Sequence, residues 1–228
     1  MTSREPEESG SPELDQRTLA AYHEAGHAVA AVMRMHEADG LRESPTIRAD
    51  GSGLTLVRIK GGTGDGHFIT YAGPWAEARY LAEECAQKGH YECALGGPGD
   101  GFIEECLDEY YLPGMMFGLA VAARNEPDTE QASDWEALQR PHPLRMVEER
   151  LRAERGDARG MWWEGDTEQI WRRELGSVWP AIAQVAELLL AGQDVPGATV
   201  DELLDQAIRA QVGEPGPETA TETATGSD

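Results

Sequence analysis

Leu19-Ala20-Ala21-Tyr22-His23-Glu24-Ala25-Gly26-His27-Ala28-Val29-Ala30-Ala31-Val32 sets two histidines and a glutamate inside an apolar, alanine-rich run. The run has helical periodicity, and the surrounding pattern predicts a helix from about Leu14 to Ala38, stopping at Gly40. At ~100° per residue, His23 and His27 lie roughly 40° apart around such a helix and one turn apart along it. Two imidazoles so placed can reach one tetrahedral zinc. Glu24 points roughly 60–100° to the side, too far round to ligate the same ion easily, but placed to take a proton from a metal-activated water. Burying this much polarity in an apolar helix is costly without a purpose, which argues for a metal over chance.

Outward from that helix the chain stays mainly helical. Pro45–Ala49 and Gly53–Ile59 are β-like, and Asp50-Gly51-Ser52-Gly53 between them has hairpin chemistry. Gly61-Gly62-Thr63-Gly64-Asp65-Gly66 lacks the Gly-Lys-Ser/Thr ending of a phosphate loop and reads as a connector. A second helix is predicted over Phe68–Gln87, and a third from about Pro98–Asp100, after the Gly96-Gly97 break. Pro127, Pro141, Pro143 and Gly160 divide the next stretch into short helices. Val178, Ile182, Val185, Leu188 and Leu189 recur at helical spacing and face a core, and Thr199 with Glu202 forms a capping box for a last helix, Val200–Gln211. The expected organisation is a flexible lead (1–12), one mainly α domain with a small hairpin (13–212), and a disordered acidic tail (213–228).

The chain has 228 residues with 19 basic and 42 acidic side chains, a net charge of −23, and 40% apolar residues, enough for one sizeable core. So acidic a surface repels phosphate, which excludes nucleic acid and anionic membrane as default partners. The longest apolar stretches are half of what a membrane span needs, and the first residues lack a secretory signal, so a cytoplasmic protein is expected. Cys85, Cys93 and Cys106 are an odd set with no Cys-x-x-Cys pair, and with His90 they match no zinc spacing. His36 and His67 read as surface or loop histidines. Trp162, Trp163, Trp171 and Trp179 read as core, and the arginines of 140–159 as a solvated face.

The third metal ligand is not in the motif. An extended zincin motif needs Gly at Ala30 and His at Met33, and a Glu ligand about twenty residues on would fall in the hairpin. Ala21–Ala28 resembles the active-site helix of the FtsH-type zinc metalloproteases, whose wording is Ala-Tyr-His-Glu-Ala-Gly-His-Ala. Tyr71-Ala72-Gly73-Pro74-Trp75-Ala76-Glu77 resembles that family's Gly-Arg-Ala-Ala-Glu helix, and Gly96-Gly97-Pro98-Gly99-Asp100 stands where it has Gly-Ala-Ser-Asn-Asp. The likeness spans about residues 18–110, includes the hairpin, and has a fainter echo in Ile182–Leu204. It implies a zincin-type peptidase domain with Zn2+ on His23, His27 and Asp100, Glu24 as general base, and protein or peptide substrates. Pro98 can open a helix whose first turn carries Asp100, with Glu104 as the rival ligand one turn on.

The departures are specific. Pro74 and Gly101 replace helix formers, and Gly101-Phe102-Ile103-Glu104-Glu105-Cys106 replaces an Ala- and Arg-rich helix. The family's membrane anchor and ATPase module precede its peptidase domain, whereas seventeen residues precede the likeness here. ATP dependence would then need a separate AAA ATPase acting in trans, and the oligomer is left open. The alternative function is a non-proteolytic regulatory or interaction module that keeps the zinc as a clamp.

Overall fold

The computed structural model describes residues 15–35, 40–49, 51–57, 63–88, 102–126, 129–139 and 166–212. The expected lead and tail, Asp100, His36, His90, Cys93, Trp162, Trp163 and the arginines of 140–159 lie outside them.

The first helix, α1, runs Gln16–Met35. It starts two residues after the predicted Leu14 because Asp15 caps it: the carboxylate accepts from the Arg17 N–H at 3.1 Å and the Thr18 hydroxyl at 2.8 Å. Ala21, Ala25, Ala28, Val29 and Val32 are buried, so the small-residue side of α1 is the centre of the core.

A two-stranded antiparallel hairpin comes next, β1 (Thr46–Ile47) and β2 (Gly53–Leu54), pairing Thr46 with Leu54 and Ile47 with Gly53. Both strands are shorter than predicted. A separate bridge joins Leu41 to Val57. Gly51 turns the chain at φ +84°, a conformation that favours glycine.

The second helix, α2, spans Thr63–Gln87. It therefore absorbs Thr63–His67, which the sequence placed in a connector and a loop. The physical reason is burial: His67, Phe68 and Ile69 lie in the core, and the Arg34 guanidinium covers the Phe68 ring at 3.7 Å, so packing extends the helix through its glycines. The helix also continues through Pro74. It crosses α1 closely at Gly26, where a Cβ would collide with the Ala72 carbonyl and the Ala76 side chain. Glycine is required there by the approach of the two backbones.

Beyond α2 lie α3 (Phe102–Cys106), a π-helical turn (Leu107–Tyr111), α4 (Leu112–Asn125) and α5 (Glu130–Gln139). The last three helices are α6 (Asp166–Ser177), α7 (Trp179–Leu190) and α8 (Gly197–Val212). Helix α8 starts three residues before the predicted Val200: the Pro196 carbonyl accepts from the N–H groups of both Thr199 and Val200, so the supposed capping box is already inside the first turn.

Val178, Ile182, Val185 and Leu189 are buried, with Leu188 partly so, as their spacing predicts. Trp171 and Trp179 pack against the same core. Tyr71, Glu168 and Arg172 form a buried hydrogen-bonded group that ties α2 to α6, extended by an Arg172–Asp108 ion pair at 2.9 Å to the π turn. The architecture among the described residues is thus mainly helical with one small antiparallel sheet, and no described helix is long and apolar enough to cross a membrane.

Candidate metal centre

His23 and His27 project from one side of α1 with ring centroids 4.7 Å apart, as the one-turn spacing requires. Each ring is held at its Nδ1. His23 Nδ1 lies 3.1 Å from the Glu77 carboxylate, and His27 Nδ1 donates to the Ile69 carbonyl at 2.7 Å. Both partners belong to α2. A carbonyl can only accept, so a His27 proton sits on Nδ1 and Nε2 is left to face Asp134. Outer hydrogen bonds of this kind orient metal-ligating histidines.

Both Nε2 atoms point at one acceptor, Asp134 Oδ2, at 3.1 Å from His23 and 3.5 Å from His27. Asp134 comes from α5, 107 residues beyond His27. One ligand atom from each of the three residues lies within 4.8 Å of the other two, so the group could hold a metal ion. Two observations test the fit. A tetrahedral ion with bonds of ~2.1 Å separates its ligand atoms by about 3.4 Å, close to the spacing found. Across from the rings, α2 has Gly73, whose Cβ would lie 2.5 Å from His27 Nε2 and 2.9 Å from His23 Nε2. The missing side chain keeps α2 from crowding the two Nε2 atoms and leaves a cradle there.

In the absence of metal, protons take the cation's place. Burial disfavours the charged form of His23, but hydrogen bonds to Asp134 and Glu77 outweigh it and hold the pKa well above the ordinary value. Burial likewise opposes the His27 charge, and the Asp134 carboxylate overcomes it. Asp134 is pressed upward by burial, yet the two imidazoles keep it below the usual carboxylate range.

The sign of these shifts has a consequence for stability. A histidine whose folded pKa is raised stabilises the fold fully below its unfolded value of ~6.5 and loses that contribution as pH rises through the folded value. Metal-free protein should therefore show a falling unfolding midpoint from about pH 6.5 upward. Asp134→Asn should flatten that slope, and added zinc should reverse it, because metal displaces the protons. Thermal melts in chelator across pH 6–9 check this; a slope unchanged in Asp134→Asn would remove the trio as its source.

Glu24 lies beside the trio, 5% exposed. Its carbonyl accepts from the Thr55 hydroxyl at 3.2 Å, and its side chain fills the space over Gly53 of β2. Glu24, His23 and Glu77 line a cleft of about 270 Å³ whose apolar walls include Leu19, Met115 and Leu119. The cleft lets a substrate group and a water reach His23 and the Glu24 carboxylate.

Of the residues singled out in the sequence, His23, Glu24 and His27 come together as expected. Asp100 lies outside the described residues. Glu104 sits elsewhere, paired with Arg79 at 2.9 Å. Asp134 was not anticipated: among 42 acids, a helical aspartate carries little signal. The available hint was Ala132-Ser133-Asp134, which shares the Ala-Ser and the Asp of the family wording that implies Asp100. Glu77 and Gly73 belong to the α2 likeness, which gave them no role; one orients His23, and the other leaves the cradle open. His67, expected at the surface or in a loop, is buried within α2. Cys85 and Cys106 are buried thiols outside the metal group.

Comparison with known proteins gives no match: no family model, no curated protein and no solved structure matches this chain.

Proposed function

We propose that this chain is a zinc-dependent metalloendopeptidase domain of the FtsH type, cleaving peptide bonds in unfolded protein segments. The observation that carries the reading is the convergence of His23 Nε2, His27 Nε2 and Asp134 Oδ2 beside the buried Glu24 carboxylate, which with His23 lines a cleft. Two imidazoles and a carboxylate suit zinc and leave a fourth tetrahedral position for water. A bound zinc would supply Lewis acidity toward a peptide carbonyl and lower the pKa of a water.

The chain's own residues do the rest. Glu24 accepts the proton of the attacking water and returns it to the leaving amine, so atoms and charge balance over the cycle. Glu77 and the Ile69 carbonyl keep the imidazoles in the ligating tautomer. A cleft of about 270 Å³ is too small for a folded domain, so folded substrates would need a separate AAA ATPase partner to deliver them.

One observation favours the second reading, a structural clamp: the ligands tie α1 to α5 across a long stretch of sequence. Catalysis separates the two. Purified protein should cleave casein without ATP, stop in chelator and recover with zinc. Zinc binding at one ion per chain with no cleavage under any of these conditions would leave the clamp; no bound metal would end both readings.

A further inference from the structure

We propose that Gly53 is a positioning residue for Glu24: its missing side chain forms the slot that holds the base's carboxylate. The proposal rests on the peptidase reading above. A Cβ at position 53 would overlap Glu24 Cγ and Oε1 and lie 2.7 Å from Cδ, inside van der Waals contact with most of the side chain. Backbone conformation does not explain this glycine. The left-handed φ in the hairpin belongs to Gly51, whereas Gly53 is in strand geometry, paired with Ile47, which any L-residue adopts. Glycine within a strand weakens it and commonly marks a close approach. The approaching group here is the Glu24 side chain.

The hairpin is also fixed to α1 at the same residue, through the Thr55 hydroxyl and the Glu24 carbonyl. One strand therefore grips Glu24 by its main chain and shapes the space around its side chain. Glu24 and Gly53 line the same cleft, so the carboxylate can yield to a methyl at 53 only by leaving its slot and moving into that cleft. The methyl forces the carboxylate away from the water it must deprotonate, while the imidazoles, on the neighbouring side of α1, keep their partners.

The test compares Gly53→Ala, Glu24→Ala, Glu24→Asp and the doubles in the full chain. Gly53→Ala should lower kcat by ~100-fold, the scale of a ~1 Å misplacement, with KM and zinc affinity unchanged. Glu24→Asp, shorter by one methylene, should cost less activity in the Gly53→Ala background than in the parent. Independently of activity, Gly53→Ala should lower the unfolding midpoint of metal-free protein by on the order of 5 °C, and should not do so in a Glu24→Ala background, where the methyl has room. If Gly53→Ala alone fails to fold, the double with Glu24→Ala should still fold. Cleavage by Gly53→Ala at the parent's rate, or midpoint losses that are equal in both backgrounds, would overturn the proposal. A parent that cleaves nothing would end the peptidase reading and the positioning role with it, while the midpoint cycle still decides whether the slot exists.

Discussion

Glu24→Gln is expected to lose casein cleavage by ~10²–10⁴-fold, the usual contribution of a general base, while keeping one zinc per chain and the parent's fold. The amide preserves size and polarity, so the slot over Gly53 stays filled, but it cannot take a proton. Glu24 lies on a side of α1 separate from the ring nitrogens that face Asp134, which is why metal binding should survive. Steady-state cleavage with metal content measured on the same samples checks this. A variant that cleaves as fast as the parent would show that Glu24 is not the base.

Asp134→Ala is expected to weaken zinc binding by well over ~100-fold, beyond the 10–100-fold typical of losing an outer hydrogen bond to a ligand. It removes one of three ligand atoms and leaves two imidazoles facing an open space. Asp100→Ala and Glu104→Ala should bind zinc nearly as the parent does; Glu104 is already engaged by Arg79. Titration against a competing chelator ranks the three. Loss of zinc in Asp100→Ala with retention in Asp134→Ala would return the third position to the residue that the family resemblance implies.

The legible part of the site was the part carried by local geometry. His23 and His27 share a helix turn, so their spacing alone brings the rings together, and Glu24 is placed by the same rotation. The helix was legible because its alanine-rich run keeps helical periodicity, whereas its start was set by the Asp15 cap, which that periodicity does not show. The start of α2 was not legible, because glycines in Gly61–Gly66 signal a loop unless something packs on the adjoining turn, and that something is the Arg34–Phe68–Trp171 group from distant segments. The α8 boundary failed for a local reason instead: the Pro196 carbonyl already accepts from the Thr199 and Val200 N–H groups, so the helix opens before the threonine.

What the sequence determined by itself is a two-histidine, one-glutamate helix in a mainly helical, acidic chain with a short hairpin, because these depend on periods of a few residues. The tertiary structure decided the rest. It brought Asp134, from among many acids, to the two imidazoles, set Glu77 and the Ile69 carbonyl against the rings, and placed Gly73 and Gly53, which lack side chains, where the ring nitrogens and the Glu24 carboxylate lie. Each of these is a contact between segments tens of residues apart. Such contacts arise from how α1, α2, α5 and the hairpin pack, and helical or strand periodicity along one segment holds no record of them.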